Sequence, residues 1–158
     1  MPEMILDGQI EEGPLAGIQA NNLREWGRVT AGVKMDPSYK RLWVALLRSG
    51  LIKRYFRQLS SPSGTRMCCL GVAEEVVRPG TSHYHTVTTP QGTRKKIRVW
   101  DGVQVAGTSD LPYCQGYPSE ETVTKLGLTY DIVSCLAGLN DDGGATYEQI
   151  AYLIERDL

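Results

Sequence analysis

Four groups of residues have types and spacings that could do chemistry. Cys68 and Cys69 are adjacent thiols, with Arg66 just upstream and His83 and His85 as the available bases. A nucleophilic thiolate needs a pKa lowered by a helix N-terminus or a neighbouring cation. Cysteine is also among the most buried residue types and packs as a small hydrophobe. No Gly-x-Cys elbow or paired acid accompanies Cys68 and Cys69, so a structural role is favoured and a small cysteine hydrolase is an alternative. His83 and His85 stand two apart on a predicted strand and so face one side, a spacing that can chelate zinc. No cysteine pair has finger-like spacing, and no metal site is expected. Asn140-Asp141-Asp142-Gly143-Gly144 has the composition of a calcium loop. An EF-hand spreads its ligands over about twelve residues and closes on a glutamate, whereas Glu148 comes too soon. A turn between two helices explains the segment better. The glycines form neither G-x-G-x-x-G nor a Walker loop, so no nucleotide cofactor is implied.

The aromatic residues are more suggestive. Eight Tyr and three Trp stand against one Phe, so nearly every ring carries a hydrogen-bonding group. Such rings stack on a base while keeping the polar tip satisfied, and they also populate interfaces. Tyr84 and Trp100 fall in a predicted hairpin beside Arg94, Lys95, Lys96 and Arg98. Stacking rings next to cations are what a nucleotide-like anion needs. The candidate ligand-binding set is therefore Arg94, Lys96 and Arg98 for phosphates, Tyr84 or Trp100 for stacking, and His83 as a neutral donor.

The elements that must position these residues can be read from periodicity and punctuation. Residues 1–35 form an N-terminal arm or extension broken by glycines, in which Ile18, Leu23 and Trp26 suit one side of a brief helix docked on the body, with a mobile arm or an extension swapped between subunits as equal alternatives. Residues 36–158 read as one domain, with a hairpin insertion around 81–105. Asp36 is a good N-cap and Pro37 suits the first helical position. Tyr39, Leu42, Trp43, Leu46 and Leu47 then recur at helical spacing up to Gly50, which predicts an amphipathic helix. A short strand is expected within 51–59, and Ser60–Gly64 is a loop. Cys69, Val72, Ala73 and Val76 suit a second helix ending at Pro79-Gly80. Two runs, 82–88 and 93–100, suit strands around a Pro90-Gln91-Gly92 turn, with another short strand at 103–105. Ser119 caps a helix running to Leu126. Ile132, Cys135, Leu136 and Leu139 make a further stripe. Thr146 and Gln149 form a capping box ahead of Tyr147, Ile150, Ala151 and Ile154. The expected class is α+β: about four helices packed with a small antiparallel sheet that contains the hairpin.

With 158 residues, 41% hydrophobic and 22% charged, the chain has the composition of an ordinary globular domain. No apolar run reaches the ~20 residues of a membrane span, and no signal pattern opens the chain. A reducing cytoplasm with free thiols is the expectation. The net charge is -1, but residues 34–98 carry thirteen basic and three acidic side chains, and the flanks four basic and fifteen acidic. This asymmetry suits flank-on-middle folding, an anion-binding face or a polar contact between copies, and a homo-oligomer is expected. The near-neutral total argues against general nucleic-acid binding.

Three blocks, Lys40–Gly50 (KRLWVALLRSG), Cys68–Val72 (CCLGV) and Leu139–Gly144 with Tyr147, Ile150, Ala151 and Ile154, resemble in their order a group of small proteins encoded by bacteriophages and prophages. The resemblance covers residues 36–77 and 111–158. It implies an accessory phage protein acting in the bacterial cytoplasm and transfers no catalytic residues. With the basic middle and the Tyr/Trp bias, it leads to the expectation of a non-enzymatic sponge for a nucleotide-derived defence signal, such as a cyclic ADP-ribose-like molecule or a cyclic nucleotide. The first alternative is a protein that binds and inhibits a host defence effector.

Overall fold

A computed structural model describes residues 8–55, 58–61, 66–88, 91–103, 105–106, 113–114 and 117–158. The fold is α+β, with six helices among the described residues rather than about four. In chain order, α1 spans Ala20–Thr30, α2 Pro37–Arg48, α3 Cys69–Val77, α4 Glu120–Leu126, α5 Tyr130–Asp141 and α6 Tyr147–Asp157. Strands β1 (Lys53–Arg54) and β2 (Arg66–Met67) form a short parallel pair. The hairpin is the antiparallel pair β3 (His83–Thr88) and β4 (Arg94–Val99), and β5 (Val105–Ala106) pairs antiparallel with β6 (Tyr113–Cys114).

Local chemistry starts the helices where the sequence predicts. The Asp36 carboxylate accepts from the Ser38 and Tyr39 backbone N–H groups at 2.9 and 3.0 Å, with Pro37 behind the cap. Ser119 accepts from the Thr122 backbone N–H at 3.2 Å, and Thr146 with Gln149 closes the capping box. Each such cap contributes on the order of 1 kcal/mol. Of the Asn140–Gly144 segment, Asn140 and Asp141 close α5 and Asp142–Gly144 make the turn: the Gly143 N–H donates to the Gly138 carbonyl at 2.8 Å and the Ala145 N–H to the Leu139 carbonyl at 3.1 Å.

The increase in helix number begins at the N-terminal side. Residues from Gly8 onward lie against the body, and α1 packs on α5. Ile18 and Trp26 are fully buried, and the Trp26 indole donates to Asp157 at the end of α6 at 2.7 Å. Of the alternatives left open for this segment, the docked helix is the one that forms, with Gly13, Gly17 and Gly32 turning the chain at positive φ around it. Burial of one tryptophan is worth several kcal/mol.

Helix α3 occupies the middle of the molecule and contacts α2, α4 and α5. Its residues Cys69 to Glu74 and Val77 are all buried. Its N-terminus is held from two sides. The Trp43 indole donates to the Cys69 carbonyl at 3.0 Å, and buried Asn140 accepts from the Cys69 N–H at 3.2 Å. The Asn140 amide also donates to the Tyr55 carbonyl at 2.8 Å, joining α5, α3 and the segment after β1. Gly71 is where α3 meets backbone most closely: a Cβ there would lie 2.0 Å from the Leu59 carbonyl oxygen. Neither partner is a flexible side chain, so one backbone segment must move. Gly71→Ala is expected to lower stability by about 2–3 kcal/mol or more, read as a fall in Tm, whereas Gly27→Ala, with open space at its Cβ, leaves Tm within a few degrees.

Candidate functional site

Cross-strand partners in an antiparallel pair share a face. The register pairs Tyr84 with Arg98, Thr86 with Lys96 and Thr88 with Arg94, so these six side chains share one face of the hairpin. His83 pairs with Val99 and His85 with Ile97 on the opposite face. Of the candidate set, Tyr84, Arg94, Lys96 and Arg98 therefore come together on one face, and His83 does not. Ile97 and Val99 are buried, whereas His83 and His85 are exposed, with the His83 Nδ1 4.0 Å from the Asp101 carboxylate.

Along the shared face the candidate residues differ in environment. Towards the tip, Tyr84, Thr86, Thr88, Arg94 and Lys96 are exposed, Tyr84 to 54%. At the base, Arg98 donates to Glu75 at 2.7 Å and to the Ser82 hydroxyl at 2.8 Å, and its guanidinium lies 5.2 Å from the Trp100 ring centre. Trp100 is buried, and its indole N–H donates to the same Glu75 oxygen at 3.0 Å. Arg98 and Trp100 thus anchor the hairpin on α3, and the face open to solvent consists of Tyr84, Lys96 and Arg94 with two threonines. Successive rungs on a face stand roughly 7 Å apart. The result is an open ladder of cations with one ring.

The carboxylates responsible, Glu74 and Glu75, are residues that motif reading missed. Glu74 is completely buried yet fully occupied: Arg78 donates to it at 2.7 Å, the Ser119 N–H at 2.6 Å, and the Thr122 hydroxyl completes the set. Burial alone would raise the Glu74 carboxyl, but the hydrogen bonds from Arg78, Thr122 and Ser119 outweigh it and hold the group below the usual carboxylate range. The signal in the sequence is two adjacent acids inside an otherwise apolar helix, since buried charges occur paired. Arg78 follows Glu74 by four residues, but the other partners, Arg98, Trp100, Ser119 and Thr122, lie 23 to 48 residues from the carboxylates they serve and leave no comparable trace.

Cys68 and Cys69 are both buried at the start of α3. Burial pushes the Cys69 thiol well above its ordinary range, with the neighbouring Cys68 adding to the effect. This is the opposite of what a nucleophile needs. Cys135 is also pushed up, to about 11, chiefly by burial. Compared with protein-family models, curated proteins and solved structures, the chain has no significant match.

Two expectations follow. Because the folded Glu74 carboxyl titrates below its unfolded value, its contribution to stability is present above that unfolded value, near 4.5, and is lost as the pH falls through the folded one. Glu74→Gln is expected to destabilise the protein at neutral pH while flattening the decline of Tm on acidification from about pH 5 to 3. Native protein treated with iodoacetamide at pH 7 should show no adduct at Cys69 by peptide mass spectrometry, with labelling appearing only after denaturation.

Proposed function

We propose that this protein is a non-catalytic binding protein that sequesters a phosphate-bearing, nucleotide-derived ligand on the open face of the β3–β4 hairpin. The observation that supports this reading is the register that aligns Tyr84, Lys96 and Arg94 on one exposed face. Lys96 and Arg94, on alternate positions of β4, can engage phosphates on successive rungs. Tyr84 stands diagonally beside Lys96 and offers a ring for a base, while Thr86 and Thr88 supply hydroxyls between the cations. The anchored base made by Arg98, Glu75 and Trp100 keeps the ribbon oriented, which limits the ordering cost of binding.

A face of this kind favours an extended ligand with two or more phosphates over one that must be enclosed. In the phage setting that the resemblance implies, the ligand class is a cyclic nucleotide or cyclic ADP-ribose-like defence signal, and the effect is mass action: the bound signal is withheld from its receptor. Isothermal titration calorimetry against cyclic dinucleotides, cyclic mononucleotides and cyclic ADP-ribose isomers is the test. Binding to at least one class is expected, with the ligand recovered unchanged after denaturation. The double variant Arg94→Glu/Lys96→Glu should weaken it at least tenfold through loss of charge-assisted hydrogen bonds of about 1.5–3 kcal/mol each. Tyr84→Ala should weaken it by about 1–3 kcal/mol. Absence of heat across the panel, or binding indifferent to these three residues, overturns the reading.

A further inference from the structure

The hairpin divides its charge unevenly between its two strands. Strand β4 carries Arg94, Lys95, Lys96 and Arg98, whereas Thr81 to Thr88, which includes all of β3, holds no Lys, Arg, Asp, Glu, Pro or Gly. Among the described residues, β3 bonds to no strand but β4. His83 to Thr86 and Thr88 are exposed, while Ile97, Val99 and Trp100 on the β4 side are buried, so β3 is the strand that stands away from the body. In an antiparallel ribbon, every second residue of an edge strand turns its N–H and C=O away from the partner strand. Proteins guard such edges with lysines, prolines, bulges or very short strands. Strand β3 is six residues long, keeps an unbroken register with β4 and carries none of these guards; the charges sit one strand inward.

We infer that the β3 edge is a contact between two copies of this chain, β3 pairing antiparallel with the β3 of a second copy in a four-stranded sheet of order β4–β3–β3–β4. The occupant is a strand, because the edge offers a row of backbone donors and acceptors. It is a second copy because β3 set against itself brings no like charges together, and an edge shaped for an acidic or basic segment would carry the opposite charge. The cations of β4 then stand three strand spacings from their counterparts, about 14 Å. That exceeds the ~8 Å over which exposed charges act at physiological salt. The outer part of the ribbon, two-stranded and marginal by itself, gains two further strands.

The symmetry of the pairing decides what the contact does. A two-fold axis that sets neighbouring strands antiparallel is perpendicular to the sheet, so both copies turn the same face to the same side. Tyr84, Thr86 and Thr88 of both copies then form one continuous floor, with Arg94 and Lys96 along both of its margins. Within one chain, the cations reach a ligand from one side only. The pairing rests on the edge itself; the use of the joined face rests on the ligand reading proposed above. It fits a dinucleotide, with two phosphates for the two margins and two bases for the two Tyr84 rings, bound once per pair of copies.

Light scattering of the full chain through a dilution series, without ligand, tests the pairing. A dimer of twice the 17.5 kDa chain mass is expected. His83→Lys/His85→Lys puts four lysines on adjacent strands, on the face opposite Tyr84, and should give a monomer. His83→Glu/His85→Glu should do the same. An equimolar mixture of the two variants should recover the dimer, which misfolded chains could not do. A monomer at every concentration, the result expected if β3 receives a strand of another protein, overturns the pairing. So does a dimer indifferent to both variants, or a failure of the two variants to recombine. Calorimetry with the ligand panel then tests the joined face. One ligand per two chains is expected, held at least tenfold more weakly by the monomeric lysine variant, although its added charge favours an anion. One ligand per chain, held equally well by that variant, overturns the joined face and leaves the single-ribbon reading standing. Absence of any ligand overturns that reading and the joined face with it, while the mass measurements still decide the pairing.

Discussion

Two adjacent carboxylates on a buried apolar helix constrain much of this molecule. A charge in the interior is tolerated only when it is paired and its remaining lone pairs are satisfied. Helix α3 carries Glu74 and Glu75 side by side, and successive residues on a helix point in different directions, so one partner cannot serve both. Glu74 draws in Arg78 of its own segment and the start of α4 through Ser119 and Thr122. Glu75 draws in Arg98 and Trp100 at the base of the hairpin. Two elements distant in sequence are thereby attached to α3 by directional bonds rather than by apolar contact alone. Such bonds specify position, since a misplaced partner leaves a carboxylate stranded.

The same constraint divides the basic residues by role. The cations nearest the carboxylates, Arg78 and Arg98, become structural, each with its side chain mostly buried. On α2, Arg48 is paired with Glu148 and Glu155, whereas Arg94 and Lys96 of the hairpin and Lys40 and Arg41 of α2 have no ion pair among the described residues. Positive charge on Lys96 and Arg94 in one place, and on Lys40 and Arg41 in another, is thus what remains after the interior has been neutralised.

Helices and caps were legible because their determinants are local. Asp36-Pro37, Ser119 and Thr146 with Gln149 act within one turn, and the stripe of α2 repeats every three or four residues. The strand runs of the hairpin were legible from β-propensity around a turn. The docking of the N-terminal residues stayed one alternative among three, because glycines that break a helix and glycines that turn a chain back onto a core look alike. Only the burial of Ile18 and Trp26 separates the two. In the candidate site, the sharing of a face by Tyr84, Lys96, Arg94 and Arg98 follows from strand alternation once the register is known. The capture of Arg98 and Trp100 by Glu75 depends on a contact across 23 to 25 residues that no periodicity encodes.

The chain by itself determined the α+β class, the capped helices, the hairpin and the concentration of positive charge in its middle, since each of these arises from neighbours in sequence. Tertiary structure alone decided that six helices form among the described residues, that the N-terminal helix docks on the core, and which cations become the partners of Glu74 and Glu75. The physical reason is that ionic pairing and desolvation depend on distance in space, and a side chain acquires its electrostatic role only when folding sets what surrounds it.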